Sequence, residues 1–163
     1  MILIRDALLV DGTGTPPREA DVLISGSRIA AIGKFRSHRA PTVIDGHGGY
    51  IFPGFIDVNT DSDHYLTLFS NPLQHDFLLQ GVTTIIGGQC GSSLAPLLYG
   101  SLESLRKWTD PNQINVGWHT VREFLDTLRR HRLGVNFGTL IGHATIRRAL
   151  IGDHIRDLAK NEL

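Results

Sequence analysis

Three short stretches of this 163-residue chain concentrate side chains able to do chemistry. Asp57-Val58-Asn59-Thr60-Asp61-Ser62-Asp63-His64 sets oxygen donors at alternate positions and ends in an imidazole. Gly87-Gly88-Gln89-Cys90-Gly91-Ser92-Ser93-Leu94-Ala95-Pro96 holds the single cysteine in a glycine-rich setting, and Gly142-His143-Ala144-Thr145 is a weaker third stretch. The spacing Asp57-x-Asn59-x-Asp61 invites a calcium-loop reading. That loop needs glycine at its sixth position and glutamate at its twelfth, where this chain has Ser62 and Leu68. Gly87-Gly88-Gln89-Cys90-Gly91 lacks the lysine of a phosphate-binding loop. Neither chemistry fits. One cysteine also allows no internal disulfide, and taken alone Cys90 reads as a buried, inert thiol.

Each stretch follows an apolar run, so the elements around them decide what they can do. Residues 50–58, Tyr-Ile-Phe-Pro-Gly-Phe-Ile-Asp-Val, contain a short, nearly continuous apolar run, the pattern of a strand buried on both faces. A helical stretch is expected over roughly residues 72–80, and a second buried strand at 81–87. Residues 119–132 place Val121, Phe124, Leu125 and Leu128 on one helical face. A third strand is expected at 133–141, followed by a helix-like segment over 145–163 broken at Gly152-Asp153. Alternating strands and helices imply βα units and a parallel sheet, in which loops at the strand C-terminal ends build the site.

Residues 1–52 read differently. Ile2 to Val10 is β-rich and ends in the turn Asp11-Gly12-Thr13-Gly14; a hairpin is expected around Ser25-Gly26-Ser27, and a short strand at 42–45. Closely spaced strands with glycine turns point to a small β-sandwich portion. The expected division is therefore 1–52 and 53–163.

Composition narrows the function. Sixteen basic and sixteen acidic residues give zero formal charge, so the footprint of a nucleic-acid binder is absent. Arg129, Arg130 and Arg132, and Arg147 with Arg148, read as solvated helix faces. No apolar run reaches the ~20 residues that span a bilayer, and no charged segment precedes an apolar core as in a signal peptide. A cytoplasmic protein without membrane or nucleic-acid partners is expected.

Pro53-Gly54-Phe55-Ile56-Asp57, behind a short sandwich segment, resembles the barrel entry of the amidohydrolase superfamily. With Gly81-Val82-Thr83-Thr84, Cys90-Gly91-Ser92-Ser93-Leu94-Ala95-Pro96 and Gly142-His143-Ala144-Thr145-Ile146-Arg147 in order, the chain resembles the N-acyl-D-amino-acid deacylase (D-aminoacylase) branch. The resemblance implies an α/β fold: a β-sandwich portion beside the first part of a (β/α)8 TIM barrel, with about three of its eight βα units in this chain. It implies a zinc-dependent hydrolase of carbon–nitrogen amide bonds with one or two ions, acting on a small-molecule N-acyl amino acid or related amide. A further, C-terminal barrel portion or a homo-oligomer is the expected protein partner.

By the same resemblance Cys90 takes the place of a cysteine metal ligand, while a His-x-His ligand pair falls on Asn59 and Asp61. Two residues apart on an extended segment, these side chains point to one side. Carboxylate is an acceptable zinc ligand and an amide oxygen a poor one. Metal-site candidates are thus Cys90, Asp61 and Asn59, with weak binding expected of this chain alone and no catalytic residue assigned within it. His64 reads as a rim histidine and His143 as structural; His38, His47, His75, His119, His131 and His154 form no ligand-spaced pair. Two functions stay open: part of an amide hydrolase, or a non-catalytic scaffold descended from one. A cyclic-amide hydrolase such as a hydantoinase is disfavoured by the Cys-Gly-Ser-Ser-Leu-Ala-Pro segment.

Overall fold

A computed structural model describes residues 1–37, 39–98, 102 and 105–162; His38 lies outside them. The chain divides into two compact units, Met1–Pro53 and Gly54–Leu163.

The first unit is one mixed sheet. β1 (Ile2–Leu9), β2 (Arg18–Ser25), β3 (Arg28–Gly33) and β4 (Thr42–Asp45) lie in the order β3-β2-β1-β4, and β5 (Tyr50–Ile51) also pairs with β1. β1 runs antiparallel to β2 and parallel to β4 and β5. The β2–β3 hairpin turns at Gly26, whose φ of 59° suits glycine. Asp11 closes the turn after β1: its carboxylate accepts from the Thr13 amide (3.0 Å), the Thr13 hydroxyl (2.6 Å) and Arg18 (2.7 Å). Leu9, Ala20 and Val22 form the core, with Ile4, Ile24 and Ile51 packed against them. Asp21 is buried within β2, where it accepts backbone N–H groups from Phe35 at 2.7 Å and Asp6 at 3.2 Å.

The second unit carries a three-stranded parallel sheet in the order β6 (Phe55–Asp57), β7 (Val82–Gly87), β8 (Asn136–Thr139). The apolar run at 50–58 does not make one doubly buried strand. It breaks at Pro53 into β5 of the first unit and β6 of the second, and Phe55 and Ile56 are 52% and 64% exposed because, among the described residues, β6 pairs only with β7. The helix expected at 72–80 is also divided: α1 (Thr67–Ser70) and α2 (His75–Leu78) are separate turns of helix. Pro72 disfavours helical geometry at Asn71, and Gln74 adopts a left-handed φ of 49°.

α3 (Val121–His131) forms as its periodicity requires. The Thr120 hydroxyl accepts from Glu123 N, and the Glu123 carboxylate accepts from Thr120 N at 2.9 Å, a reciprocal cap. Its apolar face inserts Phe124 against Trp118, with ring centroids 5.3 Å apart, and against Phe137 of β8 at 6.0 Å. Leu66, Leu68, Ile85, Leu94, Leu97 and Leu105 complete this core. α4 (His143–Ile151) ends at Gly152, φ 62°.

Candidate functional site

The three parallel strands end side by side, so the loops after them converge. Backbone and side-chain bonds tie these loops into one body. From the first loop, Thr60 N donates to Ile86 O (3.1 Å), and its Val58 carbonyl accepts from Gln89 Nε2 (2.6 Å). From the third, Leu140 N donates to Gly87 O (3.0 Å), Ala144 N to Gly91 O (2.8 Å) and Gly142 N to Ser93 Oγ (2.9 Å). Thr145 Oγ1 receives Ser93 N at 2.8 Å. Two glycines permit this approach. A Cβ at Gly88, φ +79°, would sit 2.3 Å from Leu140 O, and one at Gly142 would sit 2.5 Å from Gly91 O.

The sequence-derived candidates occupy this body as follows. Cys90 is exposed rather than a buried thiol, at the tip of its loop with φ 53°, because the tight turn Gly88–Gly91 points its residue outward from the packed loop base. Asn59 is exposed, and its own N–H bonds Asp57 Oδ1 at 3.1 Å in a local turn. Asp61 is half exposed and lies 3.0 Å from His64 Nδ1, in a geometry that makes no hydrogen bond. His143 is exposed at the start of α4, and the described histidines 47, 75, 119, 131 and 154 are all exposed.

His64 is not at the rim. It is fully buried, stacked on Trp108 with centroids 4.2 Å apart, and its Nε2 lies 3.2 Å from Ser92 O. A carbonyl only accepts, so Nε2 carries the proton. An indole brought from a distant part of the chain covers the ring, and nothing local in the sequence announces that cover. Its neighbour Asp63, also fully buried, accepts the Gly88 N–H at Oδ2 (2.7 Å) and leaves Oδ1 without a partner. Burial pushes the Asp63 carboxyl above the usual range, against the pull of His64 and of the Gly88 N–H. Sequence reasoning passed over Asp63 as a functional residue. The available signal was an acid and an imidazole set side by side in the loop that follows β6.

Among the described residues no three His, Cys, Asp or Glu side chains are grouped so that they could hold a metal ion. A catalytic zinc takes about three protein ligands. The described residues therefore do not fit a complete zinc centre by themselves.

Known proteins place this arrangement. The chain is 35% identical over 162 residues to a D-aminoacylase of Alcaligenes xylosoxydans xylosoxydans, covering 99% of the chain and 33% of that protein. It is 36% identical over 151 residues to an N-acyl-D-aspartate deacylase of the same organism, covering 93% and 30%. Among solved structures, the N-acyl-D-glutamate deacylase of Bordetella bronchiseptica, complexed with zinc and a phosphonate inhibitor, superposes with a TM-score of 0.84 at 32% identity, covering 99% of this chain and 33% of that one. A D-aminoacylase structure superposes with a TM-score of 0.80 at 33% identity, again over 99% and 33%. No family profile matches the chain. The chain spans about a third of the length of the curated relatives it matches. Over that span its sequence and its fold match the D-aminoacylase, or N-acyl-D-amino-acid deacylase, branch of the amidohydrolases, consistent with an N-terminal portion of such a protein.

Proposed function

We propose that this chain supplies the β-sandwich portion (1–52) and about the first three βα units (53–163) of a (β/α)8 barrel hydrolase that cleaves the amide bond of N-acyl D-amino acids or related small amides. The observation that carries this reading is the collinear similarity to a D-aminoacylase over 99% of the chain. It is supported by the parallel β6-β7-β8 sheet, whose C-terminal loops hold all the candidate residues.

In this reading Cys90, Asp61 and Asn59 face the metal site of the whole hydrolase, where zinc would serve as a Lewis acid. The described donors fall short of a site, and the chain spans about a third of the length of its relatives, so in this reading the remaining ligands belong to the rest of the hydrolase. The partner is accordingly a further barrel portion. The open edge of β6 and the exposed Phe55, Ile56, Leu140 and Ile141 support such a cover; a homo-oligomer is the other way to bury them. No helix of the described residues is long and apolar enough to cross a membrane, and a cytoplasmic location belongs to the proposal. A second reading, a non-catalytic scaffold, is favoured by Asn59 and Asp61 and by the lack of a three-ligand group among the described residues.

Two measurements test this. Elemental analysis of the purified chain is expected to find zinc well below about one equivalent, and less still in Cys90→Ala. Equal zinc in the two proteins would remove Cys90 from the site. Release of free D-amino acid from N-acetyl-D-glutamate or N-acetyl-D-aspartate is expected once the chain is joined to a complete barrel. Its absence there would favour the scaffold.

A further inference from the structure

The three site loops are held in different ways. The loop after β8 is bonded through backbone and hydroxyl groups, whereas the loop after β7 is gripped by two buried ionisable side chains from the loop after β6. Asp63 Oδ2 accepts the N–H of Gly88 at 2.7 Å, and His64 Nε2 donates to the carbonyl of Ser92 at 3.2 Å. These are the residues two before and two after Cys90. Between the grips the chain turns through Gly88 (φ 79°), Cys90 (φ 53°) and Gly91 (φ 76°).

Cys90 bears a Cβ, and a left-handed backbone persists at such a residue only when its surroundings over-determine it. Within the turn Ser92 N donates to Gln89 O at 3.1 Å, and from α4 Ala144 N and Thr145 N both donate to Gly91 O, at 2.8 and 3.2 Å; the Gly88 N–H and the Ser92 carbonyl are held by Asp63 and His64. The grips themselves are anchored. His64 is clamped on its face by Trp108, 4.2 Å between centroids, and Asp63 sits so close under Gly87 that a Cβ there would lie 2.8 Å from its Cγ. Burying an acid and an imidazole this completely is costly unless their polar atoms are paired, and Asp63 Oδ1 and His64 Nδ1 have no hydrogen-bond partner.

We propose that the adjacent Asp63 and His64 are a positioning pair that brackets the Cys90 turn, fixing it in its left-handed form and presenting the thiol outward. His64 also stands 3.0 Å from Asp61; on the Cys90 turn the pair acts through the backbone of residues 88–92. Its value to catalysis rests on Cys90 being a site residue, as proposed above. The clamp itself is measured without metal or substrate, so the two ideas fail separately.

The test compares the intact chain with His64→Phe, His64→Gln and Asp63→Asn. Phenylalanine keeps the stack on Trp108 and loses the donor. Glutamine restores a donor, and asparagine keeps an oxygen to accept Gly88 N–H. In His64→Phe, amide exchange at Gly91, Ser92 and Ser93 and alkylation of Cys90 by iodoacetamide are expected to speed up about tenfold, the factor one ordinary hydrogen bond allows. Exchange at Ile85 in β7 should stay unchanged. His64→Gln should recover most of the protection, and Asp63→Asn should leave Gly88 protected. Unchanged exchange and alkylation in His64→Phe would overturn the proposal, as would an equal loss across the whole unit, which marks a merely structural pair. Should His64→Phe not fold, the intact chain still decides. Gly88 N–H must exchange as slowly as Ile85 N–H, and exchange at the rate of an open loop refutes the clamp.

Discussion

Asp21 in the first unit and Asp63 in the second are both buried carboxylates, yet their surroundings drive them apart. Asp21 has both oxygens supplied with backbone donors, Phe35 N at 2.7 Å and Asp6 N at 3.2 Å. The Phe35 N–H chiefly, helped by Asp6 N–H and by Lys34 and Arg5, holds its carboxyl below the usual range against the cost of burial. Asp63 has one oxygen bonded to Gly88 N and the other without a partner, so burial dominates and its carboxyl is pushed up. The exposed Glu123 sides with Asp21: N–H groups of Thr120 and His119 lower it. A carboxylate fully supplied with donors is holding structure together. One left short of donors in a buried place is held there by something else, and here that place is the convergence of the three site loops.

The largest effect expected from this contrast is at Asp21. Asp21→Ala strands two N–H groups and should cost about 2–4 kcal/mol, read from urea unfolding followed by amide exchange in β1, β2 and β3. A loss below about 0.5 kcal/mol would mean that the donors find other partners.

Acidification should then separate the units. Asp21, lowered in the fold, contributes stability that is fully present above the ordinary aspartate value of ~3.9 and is lost as pH falls through its lower folded value. Asp63, raised in the fold, carries a penalty while charged, and that penalty is relieved as pH falls through its raised value. On lowering pH from neutrality, exchange protection at Ile85 should rise before protection at Val22 falls. Protection falling in step at both residues would erase the contrast.

Thr120→Ala removes one half of the α3 cap and is expected to cost about 1 kcal/mol by thermal or denaturant unfolding. This places an exposed carboxylate cap between the two buried cases. Asp63→Asn should have the smallest effect, within about 1 kcal/mol of the unchanged chain, because it removes a buried charge and keeps an acceptor for Gly88. A large loss of stability would show that the Asp63 charge itself is needed.

Much of the frame was legible in the residues. The 3.6-residue period of Val121, Phe124, Leu125 and Leu128 with the Thr120–Glu123 cap specifies α3 locally. Ser25-Gly26-Ser27 specifies the β2–β3 hairpin, and the Gly152 break ends α4. Other features depended on neighbours. An apolar run reads alike whether one face or two are covered, so the exposure of Phe55 and Ile56 on an edge strand could not be read from their types. Within 72–80, Gln74 takes a left-handed backbone because its side chain bonds Ser62, Thr67 and Asn71, which lie outside any helical period.

The site divides along the same line. By itself the sequence determined where the chemistry-bearing loops lie and which branch of proteins they resemble, since motif order and the strand–loop rhythm are written along the chain. Only the tertiary structure decided that Cys90 is exposed on a left-handed turn, that Asn59 and Asp61 stand in the open, and that Asp63 and His64 are sealed beneath them. Burial of an ionisable group depends on what lies over it. For His64 that cover is Trp108, forty-odd residues away, and for Asp63 it is Gly87 and Gly88 of the neighbouring strand end.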